Sequence, residues 1–293
     1  MNYEIKLMTE EEEDLLEEKF GEYLDTVAPS EPCTPAGEKL VFKAEDAEGN
    51  VAGGCTVNIY AWGRAVLGML WVDERHRKTG LGSMLIRQAE EAARGKGCYY
   101  LCLGTTDFQA RGLYEKHGFR VFTVNKDIPK GHESWSLSKR LDRPMPEYIP
   151  VNNSAEQLYT IRPGTKEDAK IIENGLDLYC RQFVQDEHDY IELNRKLTDG
   201  EGTMIAGIIA GVDEDCTCDI DSIWVEEPYR KQRLGTHLLR EAEREAKENG
   251  AYVVVTNACD WNVGFFLKNG YTVRGELEDY PKGHRAYELE KRI

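Results

Sequence analysis

Apolar residues recur at helical spacing between residues 80 and 94, and charged residues fill the opposite face. The apolar members of this stripe are Leu81, Met84, Leu85, Ala89 and Ala92. Such a pattern is typical of an amphipathic helix with one face on the protein core. Two glycines, Gly95 and Gly97, follow it and predict the helix end. The pattern therefore predicts a helix over Gly80–Arg94.

Apolar and alternating runs on both sides of this helix predict strands. The predicted strands are Val51–Tyr60, Val66–Val72, Tyr99–Leu103, Phe119–Thr123 and Ser134–Leu141, with a short helix at Ala110–His117. Strand–helix–strand steps require parallel pairing in part of the sheet. The expected fold is therefore α/β (α+β) with a mixed sheet.

The same pattern occurs twice along the chain. LWVDERHRKTGLGSMLIRQAEEAARGKG at 70–97 matches IWVEEPYRKQRLGTHLLREAEREAKENG at 223–250, and PKGH recurs at 129–132 and 281–284. The beginnings match more loosely, as YEIKLMTEEE at 3–12 and YTIRPGTKED at 159–168, each a short strand before a helix that a threonine would cap. We therefore predict two tandem domains.

The predicted domain boundaries follow from the composition between the copies. Residues 142–156 contain three prolines and many polar residues, which is typical of a linker. The first domain is expected at 1–143, the linker at 144–156 and the second domain at 157–293.

Charge and cysteine usage narrow the function classes. The 293 residues include 53 acidic and 37 basic ones, a net charge of −16, which argues against nucleic acid and anionic membranes as partners. No apolar run reaches the roughly 18 residues of a membrane span. The eight cysteines are scattered without a C-x-x-C pair, so neither a metal site nor a disulfide framework is expected. We expect a cytoplasmic protein.

The loop between a predicted strand and the amphipathic helix carries the first chemical signal. It reads Arg77-Lys78-Thr79-Gly80-Leu81-Gly82. Helix N-termini present unpaired amides and a positive dipole end, and glycines let backbone approach an anion closely. The loop fits a phosphate cradle, although the glycines would equally shape a plain strand-to-helix turn. Its spacing matches neither a P-loop nor a dinucleotide fingerprint.

Taken together, these motifs resemble the GNAT acetyltransferase superfamily. The resemblance rests on the R-x-x-G-x-G loop after a strand ending in Val, on FQARGLYEKHGFRVF at 108–122, and on PKGH before a closing strand, in the same order in both halves. It implies two tandem GNAT domains and acetyl-CoA as the acyl donor. The implied cofactor-binding residues are Leu70, Trp71, Val72, Arg77, Lys78, Thr79, Gly80, Leu81, Gly82, Ser83 and Asp107, with Arg230, Gly235 and Thr236 in the second copy.

The resemblance also implies a reaction, the transfer of an acetyl group to a primary amine of a small molecule or peptide. A cationic acceptor suits the acidic chain. Tyr114 holds the place of the family's tyrosine that donates to the leaving sulfur, and the backbone around Leu70–Val72 would supply the oxyanion donor.

The general base stays open in the sequence. Asp73 and Glu74 follow a strand and fit solvated turn residues, and a water relay is an equal alternative. In the second copy Asp219 and Asp221 lie on the equivalent strand, where surface charge is the favoured interpretation. His132 and His284 sit in the two PKGH turns and are interpreted as turn or packing residues.

The copies differ at two key positions. Arg233 stands where the first copy has Gly80, and Phe266 stands where it has Tyr114. We therefore predict a catalytic first domain and a degenerate second domain, which would complete the acceptor site or replace a dimer partner, in a monomer or homodimer. The opposite assignment stays open, because a tyrosine is not the only route to a good leaving group. The alternative is a non-catalytic acyl-CoA-binding sensor or scaffold.

Overall fold

The structure, a computed structural model, describes residues 5–29, 37–143, 154–184 and 189–293. Its strands are β1 (Ile5–Leu7), β2 (Lys39–Glu45), β3 (Val51–Tyr60), β4 (Arg64–Val72), β5 (Tyr100–Thr106), β6 (Arg120–Lys126), β7 (Glu133–Arg140), β8 (Thr160–Pro163), β9 (Ile191–Glu192), β10 (Arg195–Thr198), β11 (Met204–Val212), β12 (Thr217–Val225), β13 (Val253–Cys259), β14 (Thr272–Glu278) and β15 (Arg285–Arg292). Its helices are α1 (Glu10–Val27), α2 (Leu81–Gly95), α3 (Arg111–Lys116), α4 (Ser154–Leu158), α5 (Lys166–Cys180), α6 (Leu234–Glu248) and α7 (Val263–Lys268).

The predicted amphipathic helix is confirmed in both copies, as α2 and α6. Each buries one stripe with the same spacing: Leu81, Leu85, Ile86, Ala89 and Ala93 in α2, and Leu234, Leu238, Leu239, Ala242 and Ala246 in α6. Burial of these side chains against the strands is what holds each helix on its sheet.

The residues form two compact units. The first-core unit contains Ser30–Asp127 and Gly131–Gln185, and the second-core unit contains Met1–Pro29, Ile128–Lys130 and Asp186–Ile293, in each case as far as the described residues reach. These units differ from the contiguous ranges 1–143 and 157–293. Residues 144–153 of the expected linker lie outside the described residues, and α4 begins at Ser154.

In the first-core unit the strands follow the order β8-β2-β3-β4-β5-β7-β6. The β4–β5 pair is parallel, and the other pairs are antiparallel. The mixed sheet predicted from the sequence is confirmed. Its edge strand β8 and the helix α5, which packs on β2, β3 and β4, belong to the second sequence repeat.

In the second-core unit the order is β1-β10-β11-β12-β13-β15-β14, with β9 beside β11. Here β12 and β13 form the parallel pair. The edge strand β1 pairs with β10 from Leu7–Arg195 to Ile5–Leu197, and α1 packs on β12. The initial strand and helix of each repeat thus complete the sheet built by the other repeat.

Matching contacts hold the two exchanged helices. Ile172 of α5 is fully buried over Gly54, and Leu16 of α1 is fully buried over Gly207. A Cβ built on Gly54 would lie 2.3 Å from Ile172 Cδ1, so only glycine permits this approach. Both helices begin with the threonine caps expected from the sequence, Thr9 and Thr165.

No helix within the described residues is long and apolar enough to cross a membrane.

Candidate active site

A cleft opens where two parallel strands of the first-core unit part. The pairing of β4 with β5 joins Arg64–Val66 to Tyr100–Cys102, whereas β4 continues to Val72 and β5 to Thr106. One extra residue in β4, Gly68, interrupts its register with β3, because Thr56 faces Met69 and Val57 faces Leu67. This bulge lies at the point where the strands separate, and it bends β4 away from β5.

The cleft holds a cavity of about 640 Å³. Nine residues expected from the sequence line it: Leu70, Trp71, Val72, Arg77, Lys78, Gly80, Gly82, Ser83 and Tyr114. The structure therefore places one edge of β4, the loop before α2 and the aromatic residue of α3 around one space.

The loop before α2 has the backbone that a close approach of an anion requires. Gly80 caps the helix with φ 97°, and Lys78 has φ 62°, both in the left-handed region. The amides of the first helical turn have no partner within the helix and border the cavity at Gly82 and Ser83. Lys78 adds positive charge beside them.

Arg77 braces this loop. Its Nε donates to the Val72 carbonyl oxygen at 3.2 Å, and its guanidinium lies 5.0 Å from the centre of the Tyr179 ring. The arginine therefore joins the end of β4 to α5 while it borders the cavity.

Three of the cofactor-binding residues expected in the first copy are not in the cavity lining. Thr79 donates its hydroxyl to the His76 carbonyl oxygen at 2.7 Å, and Leu81 is a core residue with 1% exposure. Asp107 accepts hydrogen bonds from His132 and from the Glu133 amide. The side chains of Thr79, Leu81 and Asp107 therefore do not line this cavity.

Tyr114 is largely buried, with 9% of its surface exposed at the cavity. Its ring meets Phe119 edge to face at 6.1 Å. Burial raises the pKa of Tyr114 to about 12, and the nearby Cys55 adds to this. The phenol is therefore protonated at neutral pH and is able to donate a hydrogen bond into the cavity.

Helix α5 supplies a wall of the cleft that the sequence did not reveal. Leu176 and Tyr179 line the cavity, and Trp71 packs directly on the helix at Gly175. A Cβ on Gly175 would lie 2.3 Å from Trp71 Cε2. His76 and Gln109 also line the cavity, although the sequence did not indicate this. The amphipathic pattern of α5 indicates a packed helix but not which sheet it covers.

The second-core unit repeats the frame with different side chains. Arg230 donates from Nε to the Val225 carbonyl oxygen at 2.9 Å, as Arg77 does in the first copy. Arg233 caps α6 with φ 66°, and Phe266 is buried. Of the residues expected in the second copy, Thr236 lines a cavity of about 470 Å³ together with Arg233. Gly235 does not line this cavity.

The aspartates considered as general bases lie in different units of the molecule, Asp73 in the first-core unit and Asp219 and Asp221 in the second. Asp73 accepts from the Arg75 amide at 3.0 Å, which fits the expected turn role. Asp219 and Asp221 belong to β12 of the second-core unit. Burial raises the pKa of both, and the adjacent Asp213 raises that of Asp219 further. Within the described ranges, no group of three or more His, Cys, Asp or Glu residues is arranged to hold a metal ion.

The acetyltransferase (GNAT) family model matches this chain twice, at residues 5–119 and 155–271. Blasticidin-S acetyltransferase of Streptomyces morookaense is 40% identical over 94 residues, which is 32% of this chain and 68% of that protein. Streptothricin acetyltransferase of Streptomyces lavendulae is 31% identical over 100 residues, 33% of this chain and 53% of that protein. A solved acetyltransferase from Bacillus cereus ATCC 14579 is 29% identical with a TM-score of 0.43, covering 46% of this chain and 97% of its own.

The chain therefore belongs to the GNAT family, and it contains two GNAT domains. The class expected from the sequence, an acetyl-CoA-dependent N-acetyltransferase, is confirmed. Members of this family use acetyl-CoA and act on amines.

Proposed function

We propose that the first-core unit is the catalytic one and transfers an acetyl group from acetyl-CoA to a primary amine. One observation carries this proposal: a single cavity brings together the loop before α2, the open edge of β4 and Tyr114. The second copy has Arg233 and Phe266 at the two decisive positions. We assign it a supporting role.

The residues present fit acetyl-CoA. The amides of Gly82 and Ser83, with Lys78 and Arg77 beside them, suit a pyrophosphate, and the edge of β4 beyond Val66 suits an extended amide-containing arm. When bound, acetyl-CoA supplies the acetyl thioester and the sulfur that leaves.

Two groups of this chain would stabilise the charge that develops during transfer. Backbone N–H groups of Leu70–Val72 donate to the acyl oxygen. The Tyr114 hydroxyl donates to the departing sulfur. A thiol is a stronger acid than a phenol whose pKa is about 12, so Tyr114 retains its proton and acts through the hydrogen bond that it donates.

The acceptor must reach the cleft as a free amine. No aspartate or glutamate lines the described cavity, so we propose that water carries the amine proton away. Trp71, Tyr179 and Gln109 would surround the acceptor. The net charge of −16 favours an acceptor that is cationic in solution. The free cysteines suit the reducing cytoplasm.

The test is release of free thiol from acetyl-CoA in the presence of a panel of amines that includes blasticidin S and streptothricin, since two relatives are named for acetylating them. We expect turnover with at least one amine above the amine-free control. Acetyl-CoA at about 100 times its Kd should also stabilise the fold by about 2.7 kcal/mol. Stabilisation without turnover on any amine would favour a sensor or scaffold and contradict the proposal.

A further inference from the structure

The last turn of α5 is tied to the segment that follows β5 in the first-core unit. The Tyr179 hydroxyl donates to the Phe108 carbonyl oxygen at 2.5 Å, and the Phe183 ring stacks on Phe108 with 4.7 Å between centres and 5° between planes. The Gln109 side-chain amide lies 3.5 Å from Cys180 Sγ. These ties matter because both segments border the cavity, through Tyr179 and through Gln109.

One side chain from a third segment bridges the two. His132 lies in the turn before β7, with Nδ1 2.9 Å from Asp107 Oδ1 and Nε2 3.3 Å from the Phe183 carbonyl oxygen. Its ring also meets Phe108 edge to face at 4.9 Å. The imidazole therefore contacts the segment after β5 on one side and the turn that follows α5 on the other.

The chemistry of the two partners defines what the histidine does. A carboxylate and a carbonyl oxygen both accept hydrogen bonds, so each ring nitrogen of His132 faces an acceptor. Asp107 is itself fixed, because its Oδ2 accepts from the Glu133 amide at 3.2 Å. The bridge therefore runs from the end of β5 through Asp107 and His132 to the backbone of the turn that follows α5.

The second-core unit contains the same group without the bridge. His284 Nδ1 lies 3.1 Å from Asp260 Oδ1, and its ring meets Trp261 at 5.0 Å, edge to face. Among the described residues, the His284 side chain makes no hydrogen bond to the end of a helix. The Asp–His pair is thus common to both turns, and among the described residues the second bond, to the Phe183 carbonyl after α5, occurs in the first copy.

We propose that His132 is a positioning residue that holds α5 of the second repeat against the catalytic core of the first, and so fixes the acceptor wall formed by Leu176 and Tyr179. The functional part of this inference rests on the proposed function. His132 does not line the cavity, so it acts through α5 and not on the substrates.

The kinetic test compares His132→Ala with His284→Ala. Loss of the bridge should raise KM for the acceptor roughly ten-fold, which corresponds to the free energy of one net hydrogen bond or slightly more. KM for acetyl-CoA should change less than two-fold. His132→Gln, which retains an amide donor, should fall between Ala and wild type. The His284→Ala enzyme should match wild type. Equal effects on both KM values, or equal effects of the two alanine variants, would overturn the proposal.

A second readout does not depend on turnover. Amide hydrogen exchange of residues 176–184 should be faster in His132→Ala than in wild type and unchanged in His284→Ala. Unchanged exchange in His132→Ala would overturn the bridge whatever the activity. Faster exchange in an enzyme that acetylates no amine would support the bridge and place the failure in the proposed function.

Discussion

Each unit has a tryptophan at the matching position near the end of the first parallel strand, but the side chains that contact it differ. In the first-core unit Trp71 packs on the bare backbone of Gly175, and Arg77 lies over Tyr179. In the second-core unit Trp224 lies 5.5 Å from Tyr23, and Arg230 lies 4.6 Å from the Trp224 ring centre. Lys19 stands at the helix position that Gly175 occupies, and it pairs with Glu226.

The comparison shows that the two units share the backbone of the strand-to-helix junction but differ in the side chains around it. The loop and the bracing arginine recur, and β12 has an extra residue, Asp221, where β4 has Gly68. These features recur because they shape the strand-to-helix junction in both units. Gly175, Gly80 and Tyr114 do not recur, and each borders or shapes the cleft of the first-core unit. We therefore regard the residues that differ, rather than those that match, as the ones that define the catalytic unit.

The largest expected effect on activity comes from replacing Gly80, in the loop before α2, by the arginine found at the matching position before α6. Gly80→Arg places a side chain at φ 97° where backbone must approach phosphate. We expect kcat/KM for acetyl-CoA to fall about 10³-fold, the upper range for loss of a preorganised set of donors. Arg233→Gly is the matched control and should leave the steady-state rate unchanged. A Gly80→Arg enzyme with normal kcat/KM would show that the two loops are equivalent.

The exchange of helices is tested by two buried residues at matching positions. Ile172→Ala and Leu16→Ala should each lower the free energy of unfolding by about 3 kcal/mol, because each leaves a cavity over a glycine. Only Ile172→Ala should raise KM for the acceptor, since α5 walls the cleft. Urea unfolding and steady-state kinetics measure the two effects. A raised acceptor KM in Leu16→Ala instead would mean that α1 serves the first core.

Removal of the Tyr114 hydroxyl should slow the reaction but leave binding intact. The hydrogen bond to sulfur matters only as the bond to carbon breaks, so Tyr114→Phe should lower kcat roughly 10²-fold. The Kd for acetyl-CoA, measured by calorimetry, should stay within two-fold. A reciprocal Phe266→Tyr change should add no activity. If Tyr114→Phe retains full kcat, the phenol has no part in the chemistry.

The smallest effect concerns acid stability. Burial, with Lys139 and Arg87 nearby, lowers the pKa of His117 to about 4, below the value of about 6.5 in an unfolded chain. Between these values the unfolded chain binds more protons, so stability falls as the pH drops from about 6.5 towards 4.

His117→Asn copies Asn269 of the second repeat and removes this titration. The loss of unfolding free energy between pH 7 and pH 5 should shrink by on the order of 1 kcal/mol, with screening taken into account. Denaturant titrations at both pH values measure it. An unchanged loss would assign the acid sensitivity to other groups.

Much of the site could be predicted from the sequence because it lies on local patterns. The predicted apolar stripe from Leu81 to Ala92 indicates where α2 begins, and the beginning of α2 locates the loop at 77–80. Repetition of this pattern located the same loop near Arg233. Tyr114 was identified through the resemblance of its tract, FQARGLYEKHGFRVF, to the family.

The exchange of segments could not be predicted, for a physical reason. The strand and helix at β1–α1 and at β8–α5 carry the same pattern, with a threonine cap and one fully buried large aliphatic residue, Leu16 or Ile172. By its local sequence, either segment, β1–α1 or β8–α5, is able to pair with the edge of either sheet. Leu176 and Tyr179 therefore gave no sign that they line the first cleft.

The central claim, that the productive site lies in the first-core unit, is tested most directly by placing the same bulky residue in each loop. Gly82→Trp fills the space beside Leu113, and Gly235→Trp fills the matching space beside Phe265. With both variants shown to be folded by circular dichroism, steady-state acetylation should be abolished in Gly82→Trp and largely retained in Gly235→Trp. Activity that survives in Gly82→Trp and disappears in Gly235→Trp would contradict the account and assign catalysis to the second-core unit.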